Sequence, residues 1–528
     1  MAADCRRRGS RITSIPSSES PHLPKGVAMN RRGRQWTAAA FGALLFGVSG
    51  VSGATDQAVA GRQAGLQQRL DAALRHRGLR GARLAALVVD RDSGAPLYAR
   101  DPDRALVPAS NMKVFTALAV LSALGPTFRF ETEVRSNAAP DADGSVQNLY
   151  LIGGGDPALT SEDLWRLAAD LRRVGLRRIR ADIVLDASRF DAELWHPSWG
   201  KLSSRAYHAP VSALSVNYGA FAVEVAPGAA VGDPVRVAID PPVRFLRLSN
   251  RATTLAPKGR AELTVDRRLV TDGEEVIVSG GVRLGGKPKI YYRSVLDPVR
   301  YAGAVLKLQL EANGIEVGGD IVRGAVPASA VELLRFEGRS LGEIVRLFIK
   351  YSNNNIAESL VKALGVAGGD VDGPASWSRG LRAVREELTG LGLEMDRITM
   401  VDGSGLSYGN KVPPRSLVAA LLVGQRSFRF GPEFVAALPI AAADGTLEKR
   451  AKGAAYGVRA KTGLLNRVTG LSGYGKLPDG RVAVFSVLVN GFRGSAEEAM
   501  DGLDGFVAEL VAPTATAGPV AAQVGVGR

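Results

Sequence analysis

Apolar residues recur along this 528-residue chain in two rhythms, and the switch between them divides it. Residues 61–78 (GRQAGLQQRLDAALRHRG) have helical spacing and a glycine stop, which predicts a helix. Leu84–Asp90 and Ala95–Ala99 flank the turn signal Asp92-Ser93-Gly94 and predict a β-hairpin. Val114 to Leu124 is apolar nearly all round, between Ser110, which can start a helix, and Gly125-Pro126, which stops it. A helix with no polar face is a buried helix. Its N-terminus, carrying Ser110 and Lys113, should emerge near a surface.

From Thr127 to Ala330 the texture changes. Short β-type runs (Phe130–Val134, Leu149–Ile152, Ile183–Leu185, Val235–Ile239, Glu275–Val278) alternate with Gly, Pro and Asp turns, and Glu162–Val174 is the clearest helical exception. Helical spacing returns at Ser340–Tyr351, Asn355–Leu364, Trp377–Leu391 and Pro414–Leu422. Strands follow at Val458–Lys461, Val468–Tyr474 and Val482–Val489, then a helix at Ala496–Val511. The fold class is therefore α/β (α+β). Residues 55–130 and 331–512 form one discontinuous domain, an antiparallel sheet with a helical cluster. Residues 131–330 are a large β-rich insertion, read as two small domains. The tail, 513–528, is rich in Ala, Gly and Pro and reads as disordered.

The composition, 46% apolar and 23% charged, is that of a globular chain. The only cysteine is Cys5 and the histidines are His22, His76, His196 and His208. That excludes a disulfide scaffold and a thiolate-rich metal site, and no two histidines have zinc-ligand spacing. No metal or organic cofactor is implied. The formal charge of +15 raises nucleic acid as a partner, yet residues 1–54 hold a net +6 of it. The rest is scattered arginine without interleaved aromatics, which reads as a solvated surface.

Residues 1–54 read as a leader. NRRGRQW at 30–36 is a positive n-region, TAAAFGALLFGVSGVSGA supplies the apolar core, and Ser52-Gly-Ala54 ends it as an A-x-A-like cleavage site. Met29 reads as the true start. The apolar stretch is short and Gly-rich for a span, which takes ~20 residues, so no stable transmembrane anchor is expected after cleavage. The expected compartment is outside the cytoplasm, in the periplasm.

A serine hydroxyl needs a base to act as a nucleophile at neutral pH. With histidine scarce, lysine is the available substitute. Ser110 and Lys113, at i and i+3, share a helix face, and a desolvated lysine near another cation has a lowered pKa. Ser352-Asn353-Asn354 falls between two predicted helices. Lys461-Thr462-Gly463 continues a predicted strand, where the glycine leaves room for a substrate backbone and Lys461 supplies a second cation. Each motif alone has a plain structural reading: a capping serine, a polar turn, an edge-strand lysine. Gly405-Leu-Ser407-Tyr-Gly409 also fits the G-x-S-x-G nucleophile elbow, but it lacks the strand before it and any histidine after it.

Taken together, S-x-x-K, S-x-N and K-T-G in this order resemble the penicillin-binding proteins and β-lactamases. The match extends to LIGGGDP (Leu151–Pro157), DIVLDASRF (Asp182–Phe190), APVSALSVN (Ala209–Asn217), DGSGLS (Asp402–Ser407), LPIAAADGTL (Leu438–Leu447) and LSGY (Leu471–Tyr474). With Ser110 and Ser352 separated by 242 positions, the chain is similar to the low-molecular-mass class C penicillin-binding proteins, D-Ala-D-Ala carboxypeptidases and endopeptidases of the penicillin-binding protein four type.

The resemblance implies a β-lactamase/transpeptidase-like fold and hydrolysis of peptidoglycan stem peptides, with β-lactams as covalent inhibitors. It makes Ser110 the acylated nucleophile, Lys113 its base, Ser352 the proton relay, and Asn354 the group that holds Lys113 and the substrate amide. Lys461 and Thr462 would bind the terminal carboxylate beside Gly463, and the N–H groups of Ser110 and Leu464 would form the oxyanion hole. Asp186 and Phe190 would reach the diaminopimelate side chain. Departures are Asn353 for Asp, Leu464 where relatives often have a hydroxyl residue, Tyr408 where some have a basic one, and Asn466 where some have Gln. A cell-wall-binding relative that acylates slowly or not at all, and a serine β-lactamase, are the alternative functions.

Overall fold

The computed structural model describes residues 52–367 and 373–513. The leader, apart from Ser52–Ala54, and the tail beyond Pro513 lie outside the described residues. Among the described residues, every sheet lies in the unit from Gln57 onward. Among the described residues no helix is long and apolar enough to cross a membrane.

Both ends of the chain build one sheet. Its strands are β1 (Arg83–Asp90), β2 (Pro96–Arg100), β3 (Val458–Leu465), β4 (Val468–Lys476) and β5 (Val482–Asn490). Their order is β3-β4-β5-β1-β2, antiparallel throughout. β1 shows why apolar residues fill both faces of the central strands. Ala85, Leu87 and Val89 enter one core, with Phe115, Leu118 and Leu421. Leu84, Ala86 and Val88 enter another, with Phe506, Leu503 and Leu70. A strand covered on both faces has no polar face to alternate with.

The first core lies under a helical cluster: α1 (Lys113–Leu124), α2 (Leu341–Tyr351), α3 (Asn354–Leu364), α4 (Trp377–Gly390) and α5 (Pro414–Arg426). α1 is buried from Lys113 to Leu121, as its all-apolar sequence predicts. α6 (Ala496–Val511) and the end of the Ser52–Ala73 helix cover the opposite face. The predicted 61–78 helix stops at Ala73, and a short 3-10 turn follows at Arg77–Leu79, where the His76 ring accepts a hydrogen bond from the Gly78 N–H. Ala95–Ala99 appears as Pro96–Arg100, antiparallel to β1.

The intervening chain is stemmed by Arg129–Ser136 and Val331–Ser340, paired antiparallel within a mixed five-stranded sheet. Three three-stranded sheets follow, and one apolar cluster runs through from Val134 to Phe336. Helical content here exceeds expectation. Besides Ser161–Arg173, a helix spans Pro298–Ala312, with Asp297 accepting from the Arg300 N–H and Pro298 in its first turn. Val299, Ala302, Val305, Leu306 and Leu310 form its buried stripe. That spacing and the Asp-Pro start were visible in the sequence.

Candidate active site

The three motifs meet where the N-terminus of α1 approaches the outer strand β3. Ser110 lies in a 3-10 turn, Ala109–Met112, that runs directly into α1. The turn is fastened to the sheet: the Val107 N–H donates to Asn490 Oδ1 at 2.8 Å and Asn490 Nδ2 donates to the Val107 carbonyl at 3.0 Å. Ala109, just before the serine, has φ of 48°. Left-handed backbone costs an L-residue roughly 1–2 kcal/mol, so packing holds this bend.

Lys113 is fully buried. Its Nζ lies 3.0 Å from Ser110 Oγ, 2.6 Å from Asn354 Oδ1 and 2.7 Å from the Ser404 carbonyl. Asn354 opens α3, and its Nδ2 donates to the Tyr207 carbonyl at 3.0 Å, which turns Oδ1 toward the lysine. Ser352 caps the end of α2 in the left-handed conformation, φ 58° and ψ 35°. Its Oγ accepts from Lys461 Nζ at 2.9 Å, and Lys461 also donates to the Thr462 carbonyl at 2.7 Å. Asn353 stands outside this network and caps α3, accepting from the Ile356 N–H at 3.0 Å.

Burial pushes the Lys113 amine down to about 7, against the pull of the Asp402 and Glu358 carboxylates. Burial, then the charge of Lys113, holds Lys461 well below the usual lysine range, and the repulsion between the two amines acts on both.

Gly463 also differs from expectation. A Cβ there would sit 2.6 Å from both Asn111 Nδ2 and the Pro108 carbonyl. The glycine therefore makes room for the turn that carries Ser110. Replacing it with Ala is expected to destabilise the fold by about 1–3 kcal/mol through overpacking. A lowered midpoint of thermal unfolding together with slower acylation would register this; an unchanged midpoint would contradict it.

Leu464 is 47% exposed on β3, which is an outer strand and has a sheet neighbour on one side only. Asp186 and Phe190 are not hydrogen-bonded to the Ser110 cluster among the described residues. They line a cavity that also includes Ser212 and Arg323. Asp186 accepts from the Ser188 and Val326 N–H groups, and Phe190 is buried. Ser407 of the G-x-S-x-G match is buried in an irregular turn, with its N–H on Asp402 at 2.7 Å and no strand before it.

Sequence reasoning missed the support beneath the lysine. Glu358, buried in α3, accepts from the Ser404 N–H at 2.7 Å, the Gly403 N–H at 3.3 Å and Trp377 Nε1 at 2.9 Å. Asp402 accepts from Gly405, Ser407, Asn410 Nδ2 and Trp199 Nε1. These two carboxylates fix the loop whose Ser404 carbonyl meets Lys113. Burial, then Asp402, raises the Glu358 carboxyl. DGSGLS and the Glu at position 358 were the available signals. Trp199 and Tyr207 bring the insertion into this support. Among the described residues no group of three or more His, Cys, Asp or Glu is placed to hold a metal ion.

An antiparallel sheet whose outer strand faces a helical cluster, with a partly exposed serine and its buried lysine between them, defines the β-lactamase/transpeptidase-like class. Within it, the chain belongs to the D-Ala-D-Ala carboxypeptidase 3 (S13) family, whose model matches residues 66–510. It is 39% identical over 465 residues to a D-alanyl-D-alanine carboxypeptidase of Actinomadura sp. (strain R39), covering 85% of each chain. Among solved structures, penicillin binding protein 4 from Haemophilus influenzae superposes with a TM-score of 0.71 at 26% identity, covering 85% of this chain and 98% of that one. The same protein complexed with a novel β-lactam gives a TM-score of 0.67 at 26% identity, over the same shares.

Proposed function

We propose that this protein is an exported, periplasmic serine-type D-Ala-D-Ala carboxypeptidase and endopeptidase that acts on peptidoglycan stem peptides through an acyl-enzyme on Ser110, and that β-lactams acylate the same hydroxyl. Family membership supports the reaction class. The observation that carries the assignment of residues is the environment of Lys113 Nζ. Two of its three partners, Asn354 Oδ1 and the Ser404 carbonyl, can only accept. A neutral amine satisfies both with its two protons and turns its lone pair to Ser110 Oγ, 3.0 Å away.

In the forward step Lys113 takes the Ser110 proton as Oγ attacks the penultimate D-Ala carbonyl. The N–H groups of Ser110 and Leu464 stabilise the oxyanion, each worth ~3 kcal/mol in comparable acyl-transfer sites. Ser352, bonded to Lys461, relays the proton taken up by Lys113 to the departing D-alanine amine, ending with its own hydroxyl restored, and water then releases the acyl group. Lys461 and Thr462 hold the terminal carboxylate along the open edge of β3, and Asp186 and Phe190 contact the stem-peptide side chain. The leader at 1–54 supports export, and residues 55–130 with 331–512 form the catalytic domain around the 131–330 insertion.

Release of D-alanine from a purified pentapeptide, abolished by prior penicillin treatment, tests the proposal; no release, with or without the drug, would refute it. The base must be neutral to accept the proton. A Lys113 pKa lowered to about 7 therefore predicts kcat/KM rising with pH through about 7 and losing activity below it. A pH–rate profile that rose only near the ordinary lysine value of about 10 would contradict this.

A further inference from the structure

We infer that Thr446 is a second hydroxyl for the substrate's terminal carboxylate, standing in for the one that Leu464 cannot supply. The inference rests on the hydrolase reading above and deepens it. β3 offers the groove one hydroxyl, Thr462, and then an exposed leucine. Thr446 Oγ1 lies 2.7 Å from Thr462 Oγ1. It comes from a separate 3-10 turn, Gly445–Leu447, and is partly exposed. Without a ligand the two hydroxyls satisfy each other, which uses one of their two protons. A carboxylate has two acceptor oxygens and can take both O–H groups, beside the Lys461 amine that donates to the Thr462 carbonyl at 2.7 Å.

The turn is held where this requires. Lys350, in the last turn of α2, donates to Asp444 Oδ2 at 2.5 Å and to the Leu438 carbonyl at 2.7 Å. Asp444 Oδ1 accepts from the Ile440 N–H at 2.7 Å, folding 440–444 back on itself. Gly445 has φ of 56°, and a Cβ there would come within 2.5 Å of the Lys350 carbonyl. The helix end that presents Ser352 therefore also fixes Thr446. Lys350 and Asp444 are positioning residues.

The test compares two acyl-D-alanyl thioesters by thiol release: one whose leaving group carries a carboxylate, and the methyl ester of that leaving group. In wild type the carboxylate form should be preferred. Thr446→Val keeps the shape and removes the hydroxyl, and should lower the carboxylate-to-ester ratio of kcat/KM by about 10-fold, the scale of one hydrogen bond to a charged group. Thr446→Ser should keep the wild-type ratio. A Thr446→Val ratio equal to wild type would overturn the inference, whether both rates fell together or neither did, because a merely structural role lowers both alike. A wild-type enzyme that released thiol from neither ester would instead remove the hydrolase reading, and this inference with it.

Discussion

Replacing Ser110 with Ala is expected to abolish both D-alanine release and covalent labelling by penicillin while leaving the fold intact. The serine is partly exposed, in a 3-10 turn that is secured without its hydroxyl by the Val107–Asn490 pair and by Asn111 Nδ2 on the Pro108 carbonyl. Removing Oγ takes away one 3.0 Å contact to Lys113 and no backbone bond. The catalytic cost has no such cushion, because no acyl-enzyme can form. The loss of turnover should reach at least about 10⁴-fold. Thermal unfolding at the wild-type midpoint, with no labelled band, is the expected pair of results. Labelling at the wild-type rate would show that acylation occurs elsewhere.

Lys113→Ala should nearly match that loss, since nucleophile and base act as a unit. General-base removal alone is worth on the order of 10²–10⁴-fold. The structural consequence is larger than for Ser110. Lys113 is fully buried, and its loss strands Asn354 Oδ1 and the Ser404 carbonyl, each an acceptor costing about 1–3 kcal/mol when left unpaired. It also removes the amine that packs near the Glu358 and Asp402 carboxylates. The variant should thus unfold earlier and acylate at a small fraction of the wild-type rate. A folded Lys113→Ala protein with unimpaired acylation would mean that another group takes the proton.

What the sequence made legible follows from which signals are local. The i, i+3 spacing of Ser110 and Lys113 is a property of one helical turn and appears as such. The apolar runs at 83–90, 468–476 and 482–490 carry their two-faced burial in their composition. Contacts between distant residues left no comparable trace. Glu358 looked like one polar position on an amphipathic helix, although its carboxylate anchors the loop at Ser404. Thr446 stood only within the LPIAAADGTL match, where nothing pointed to the hydroxyl of Thr462 that it meets. Gly463 was legible as a requirement for space, but the occupant of that space, the Pro108–Asn111 turn, belongs to the other end of the chain. The Lys113 pKa shows the same gap. A second cation could be named from sequence, whereas the degree of burial that dominates the shift emerges only from packing five helices around the amine.

The central claim is that these distant motifs form one acylating centre on Ser110. The most direct measurement is mass spectrometry of the penicillin-treated protein, followed by proteolysis and assignment of the modified peptide. The account predicts one drug equivalent, on Ser110, absent from the Ser110→Ala protein. An adduct on Ser352 or Ser407, or an unmodified protein under conditions that acylate a control penicillin-binding protein, would contradict it.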